Sequence, residues 1–78
     1  MGTMKITMKQ FDEFERQFLF IKINNPYYRF GQAFYNTFTE ISNAMEADGD
    51  LGSRDANRLW NSSDREEVLE LIDWYIIR

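Results

Sequence analysis

Glu46, Asp48 and Asp50 place three carboxylates at alternate positions, the spacing that opens an EF-hand calcium loop. The rest of that loop is missing. Its sixth position needs glycine for a sharp turn and holds Leu51; its twelfth needs a bidentate glutamate and holds Asn57. The Asp/Gly-rich segment therefore reads as a loop that ends a helix. Histidine and cysteine are absent, which removes Ser–His and Cys–His nucleophiles and the usual zinc ligand sets. The neighbouring acids Asp12-Glu13 and Glu66-Glu67 could share acid–base work only if their surroundings drove their pKa values apart. On a polar helical face and in a helical first turn they read as solvated charge. Gly31, Gly49 and Gly52 match neither nucleotide-binding glycine pattern. The expectation is a chain that is not an enzyme, with no catalytic residue, cofactor or metal.

Recognition remains. The stretch Asn25-Pro26-Tyr27-Tyr28-Arg29-Phe30-Gly31-Gln32-Ala33-Phe34-Tyr35-Asn36-Thr37-Phe38 carries six of the thirteen aromatic residues. Phe30, Phe34 and Phe38 recur at helical spacing and are expected in the core. Tyr27, Tyr28 and Tyr35 do not all fit that face, and Arg29 sits among them. Tyrosine and arginine side by side are residue types enriched where proteins bind one another. Trp74 lies off the centre of its helix's apolar face. Tyr27, Tyr28, Arg29, Tyr35 and Trp74 are accordingly the expected partner contacts. The competing expectation is structural: Arg29 paired with a carboxylate of the first or last helix, and tyrosines covering the core.

Three periodic stretches must position these residues. Thr7-Met8-Lys9-Gln10 reads as a capping box, followed by Phe11, Phe14, Phe18 and Ile21 on one helical face. This predicts a helix over about 8–23, although the β-formers of 18–23 also fit a strand. Asn25-Pro26 stops it, with Asn25 as N-cap and Pro26 in the first turn of the next. A second helix is expected over about 27–47, with Gly31 marking the close approach of another backbone, the first helix being the expected neighbour. Asp48 to Ser53 is a break in which Gly49 takes positive φ. A short helical turn at 55–60 packs Leu59 and Trp60 on the core. Ser63-Asp64-Arg65-Glu66 reads as a capping box for a final helix over about 64–77. The fold class is all-α, a compact three- to four-helix bundle formed by one domain over 1–78. Met1-Gly2-Thr3 reads as an addition ahead of Met4, and residues 1–6 are expected to be either disordered or part of such an addition.

Seventy-eight residues with 44% hydrophobic content can support one small aromatic-rich core. The net charge of −4 disfavours direct nucleic-acid binding, which needs a basic footprint. It suits an unidentified protein partner with a basic surface. The longest apolar run, Phe18-Leu19-Phe20-Ile21, is interrupted by Lys22 and is far shorter than the roughly 20 residues that span a bilayer, so no membrane association is expected. No signal-peptide pattern opens the chain.

The stretch Asn25 to Asn36 resembles a pattern in short proteins of bacteriophages and prophages: an Asn-Pro turn, then Arg-x-Gly-Gln-x, an apolar residue and Asn. Leu59-Trp60-Asn61 and Asp64 through Ile77 are similar to their aromatic segment and closing helix. The resemblance covers about half of the chain and stops short of the Asp48-Gly49-Asp50 loop. It implies a phage or mobile-element origin and a bacterial host cytoplasm. The group has no assigned activity, so it implies no site residues. Together these readings predict a small acidic non-enzymatic interaction protein that occupies a surface of a host protein. The alternatives are a homo-oligomeric structural module, such as a homodimer, and a nucleic-acid mimic.

Overall fold

The computed structural model describes residues 5–77, except the side chain of Leu51. Five helices and one 3-10 turn are closed by a two-stranded contact. In chain order they are β1 (Ile6–Thr7), α1 (Met8–Asn24), α2 (Phe30–Thr37), α3 (Thr39–Ala47), α4 (Gly49–Asn61), α5 (Arg65–Leu71), the 3-10 turn Asp73–Tyr75 and β2 (Ile76–Ile77).

α1 forms as its sequence dictates. The Gln10 backbone N–H donates to Thr7 Oγ1 at 3.1 Å, and the Thr7 N–H donates to Gln10 Oε1 at 2.8 Å. This reciprocal cap satisfies two donors that a helix start leaves unpaired. At the other end Asn25 donates its N–H to the carbonyls of Ile21 and Lys22, and its Nδ2 to Ile21 at 3.2 Å. The segment 18–23 is therefore helix, not strand.

The expected second helix is two helices, and it starts later. Residues 25–28 form a turn closed by the Tyr28 N–H on the Asn25 carbonyl at 2.9 Å, and Arg29 is extended (φ −81°, ψ 148°). Asn25 caps the end of α1 rather than the start of α2. The break at Phe38 (φ −105°, ψ 66°) has no proline or glycine to announce it. It is supported from a distance: the buried Ser42 hydroxyl donates to the Tyr35 carbonyl at 2.8 Å, supplying a side-chain donor where the helix ladder ends.

The expected 48–53 loop is only one residue, Asp48. Gly49 takes φ 83° as expected, but α4 begins there and runs through the stretch read as a loop plus a short turn. Gly52 is used for packing: a Cβ on it would collide with the Met45 carbonyl oxygen and lie 2.7 Å from Asp48 Cβ. α3 and α4 can meet this closely only because that position is bare.

The final helix is shorter than expected. Its N-cap is Asp64, not Ser63, with Oδ1 accepting from the Glu66 N–H at 3.0 Å. It ends at Leu71, and the chain turns so that Ile76 and Ile77 pair in parallel with Ile6 and Thr7. The expectation of disorder over 1–6 is thus corrected at Ile6, which is fully buried against Ile76; residues 1–4 lie outside the described residues.

One core joins all of these elements. Phe11, Phe14 and Phe18 of α1 meet Phe30 and Phe34 of α2, with Ile41, Leu59, Val68 and Ile72 around them. The rings pack edge to face, as their quadrupoles prefer: Phe14 to Phe34 at 5.5 Å and 86°, Phe18 to Phe30 at 5.1 Å and 86°.

Candidate functional site

Two surfaces contain the expected contact residues, and they differ in whether those residues are already engaged. The first is the seam between α2 and the end of α4. Arg29 is half-buried and donates from Nε to the Trp60 carbonyl at 3.0 Å, with its guanidinium 5.8 Å from the Trp60 ring centroid. A cation at a helix C-terminus is favoured by the dipole and by the unpaired carbonyls there. Its partner is therefore a backbone carbonyl, not the carboxylate anticipated as the structural alternative. Two residues on, the Gly31 N–H donates to the Ser62 carbonyl at 2.9 Å. A Cβ on Gly31 would overlap the Leu59 carbonyl oxygen and stand 2.9 Å from its carbon. The backbone that Gly31 admits is that of α4, not of α1.

Tyr35 belongs to the same seam. Its ring meets Trp60 edge to face at 5.2 Å and 83°, and its hydroxyl donates to Glu46 Oε1 at 2.5 Å. That hydrogen bond, reinforced by burial and by the Glu46 charge, raises the phenol's pKa above its ordinary value. An open groove of about 620 Å³ runs past Tyr35, Glu46, Arg54, Asn57 and Trp60. Its carboxylate, Glu46, already accepts the Tyr35 hydroxyl, and the groove offers no second acid. Tyr28 is half-buried, with its ring 6.1 Å from Phe18, and its hydroxyl accepts from Asn36 Nδ2 at 3.5 Å.

The second surface is the outer end of α1 with the turn that follows. Phe20 is 73% exposed, Ile23 77%, Leu19 57% and Tyr27 92%. Phe11, Phe14 and Phe18 fix the buried side of α1. The helical repeat then points Arg16, Phe20 and Ile23 away from the core with Leu19 on the flank, and the four line a shared shallow hollow. Ile21, assigned from sequence to the buried stripe, is 45% exposed and lines a neighbouring hollow with Pro26, Tyr27 and Tyr28. Arg16 makes no ion pair among the described residues, whereas Arg65 holds Glu15 at 2.7 Å, Glu66 at 3.2 Å and Asp12 at 3.9 Å.

Trp74 is exposed on the 3-10 turn, with the Lys5 ammonium 4.9 Å from its ring centroid. Of the five expected contacts, Tyr27 and Trp74 are exposed, Trp74 beneath the Lys5 ammonium, while Tyr28, Arg29 and Tyr35 are tied into the fold. Sequence reasoning missed Leu19, Phe20 and Ile23. The signal was present: from Phe18 to Ile23 the helix is apolar on every side but Lys22, and only one side can face a core this small.

Among the described residues no three carboxylates converge where a cation could sit, and no helix is long and apolar enough to cross a membrane. Comparison with protein-family models, curated proteins and solved structures finds no match for the chain.

Proposed function

We propose that this chain is a non-enzymatic protein–protein interaction module of phage or mobile-element origin. It works in a bacterial cytoplasm by covering a surface of another protein chain. The observation that carries this reading is the outer face of α1. Leu19, Phe20 and Ile23 are large, apolar and uncovered in a chain whose other phenylalanines are buried or packed against the core. A contiguous apolar surface of this kind marks an interaction site more often than it marks idle surface. Tyr27 and Trp74 remain contact residues; Tyr28, Arg29 and Tyr35 support the frame that presents them. The origin and compartment rest on the resemblance of Asn25 to Asn36 to short phage proteins.

The test is photocrosslinking in bacterial cells. A benzophenone side chain placed at position 20 is expected to give defined protein adducts, and the same group at the exposed Arg58 to give none. Equal labelling at both positions, or none at position 20, overturns the reading.

A further inference from the structure

We propose that the protein surface that seats on α1 is a second copy of this chain, giving an antiparallel α1–α1 dimer with its twofold axis between Leu19 and Phe20. This deepens the contact reading above and rests on it. Three observations lead there. The first is area. Leu19, Phe20, Ile23 and Tyr27, at exposures of 57, 73, 77 and 92%, leave about 600 Å² of mainly apolar surface open per chain. Two such faces bury at most about 1,200 Å², and only if Tyr27 of the following turn is covered as well, the lower end for a specific interface.

The second observation is shape. The face points away from Phe11, Phe14 and Phe18, so two α1 helices can approach to the usual 8–10 Å with the two bodies on opposite sides of the pair. The third is charge. An axis between Leu19 and Phe20 sets Arg16 level with the partner's Ile23, beside the carbonyls that end its α1. A helix C-terminus attracts a cation, and Arg16 has no ion pair among the described residues to give up. Asp12 comes level with the partner's Tyr27 and Glu13 with the partner's Pro26, so no like charges are opposed. Leu19 and Phe20 pack across the axis on their own copies, the self-complementarity that a twofold interface requires.

Sedimentation velocity of the purified chain from about 5 to 500 μM reads the association, and a sedimentation coefficient that rises toward the dimer across that range is expected. Phe20→Glu is expected to weaken it at least tenfold while leaving the thermal melt within a few degrees, since the side chain is 73% exposed. Geometry is read by disulfides, because the chain has no cysteine of its own. In a mixture of R16C and I23C chains, the mixed 16–23 disulfide is expected to exceed the 16–16 species severalfold. Preference for 16–16 overturns the antiparallel register. A monomer throughout the concentration range overturns the dimer, and so does Phe20-dependent binding of that monomer to anionic phospholipid vesicles. Failure of the dimer alone leaves the position-20 crosslinker labelling some other protein in cells; failure of the contact reading leaves both measurements blank.

Discussion

The α2–α4 seam and the outer end of α1 are built from similar residues and have opposite fates. Both are aromatic, and each includes an arginine, Arg29 in one and Arg16 in the other. At the seam every group has an intramolecular use. Arg29 and Gly31 satisfy carbonyls at the end of α4, Tyr35 meets both Trp60 and Glu46, and Ser62 receives the Gly31 N–H. At the outer end of α1, Leu19, Phe20 and Ile23 project past the core into solvent. Residue type alone does not separate a closed patch from an open one. What separates them is whether the backbone opposite offers unpaired groups and space.

The largest test of that difference is Gly31→Ala. The new methyl would overlap the Leu59 carbonyl oxygen and meet the Ser62 oxygen at 3.0 Å. Neither is a flexible side chain that can move aside, so α2 and α4 must separate. The expected loss is roughly 3 kcal/mol or more, a large part of the stability of so small a domain. A shift of the urea midpoint by less than that of Arg29→Ala would show that the seam is not tight. Arg29→Ala itself should cost about 1–2 kcal/mol, from one charge-assisted hydrogen bond and ring contact at a half-buried site. Arg29→Lys should recover only part of this, because an ammonium cannot reproduce the Nε–H aimed at the Trp60 carbonyl.

Much of the fold could be read from local chemistry. The Thr7/Gln10 cap, the Phe11-Phe14-Phe18 stripe, the stop at Asn25 and the positive φ of Gly49 all stand because their causes lie within one turn of the residue concerned. The errors cluster where the cause is distant in sequence. α2 starts at Phe30, and the Gly31 N–H of its first turn finds its acceptor at Ser62, thirty-one residues on. The Phe38 break is an exception, since the Ser42 hydroxyl that backs it lies one turn away, but no proline or glycine announces it. Gly52 looked like a loop marker because nothing nearby announces that α3 will pass against it. Ile76 left the helix to pair with Ile6, at the opposite end of the chain. The site divides in the same way. Tyrosine and arginine stand out by type, but only the fold shows that Arg29 faces a helix end and Phe20 faces water.

A smaller test uses pH. The Tyr35 hydroxyl donates to Glu46, which holds the neutral phenol and raises its pKa above the ordinary 10.0. Burial and then the Asp48 charge raise that of Tyr75 as well. For each, the neutral form is favoured in the folded state. Their contribution is fully present below about pH 10, the unfolded-state value, and is lost as pH rises through the higher folded value. The urea midpoint should therefore fall as pH rises above about 10. Tyr35→Phe should flatten part of that fall and cost only a few tenths of a kcal/mol at neutral pH, since the hydrogen bond is exposed. An unchanged alkaline slope in Tyr35→Phe would remove the seam's claim on this side chain.

The smallest expected effect is on stability at the other region, and it sharpens the contrast most. Phe20→Ser removes a phenyl ring, a change that in the core, as at Phe34, would cost about 3–5 kcal/mol. At position 20 the ring is 73% exposed, so the folded state loses little burial and the expected change in stability is within about 0.5 kcal/mol. Measured at about 5 μM, where self-association is slight, the melting curves of Phe20→Ser and the parent chain should superimpose. If the two separate by as much as the Arg29→Ala pair, Phe20 is part of the monomer's own packing and the division between a closed seam and an open helix face does not hold. If they coincide, a phenylalanine sits on this surface with no role in holding the single chain together, and its contribution is to be sought in what the chain touches.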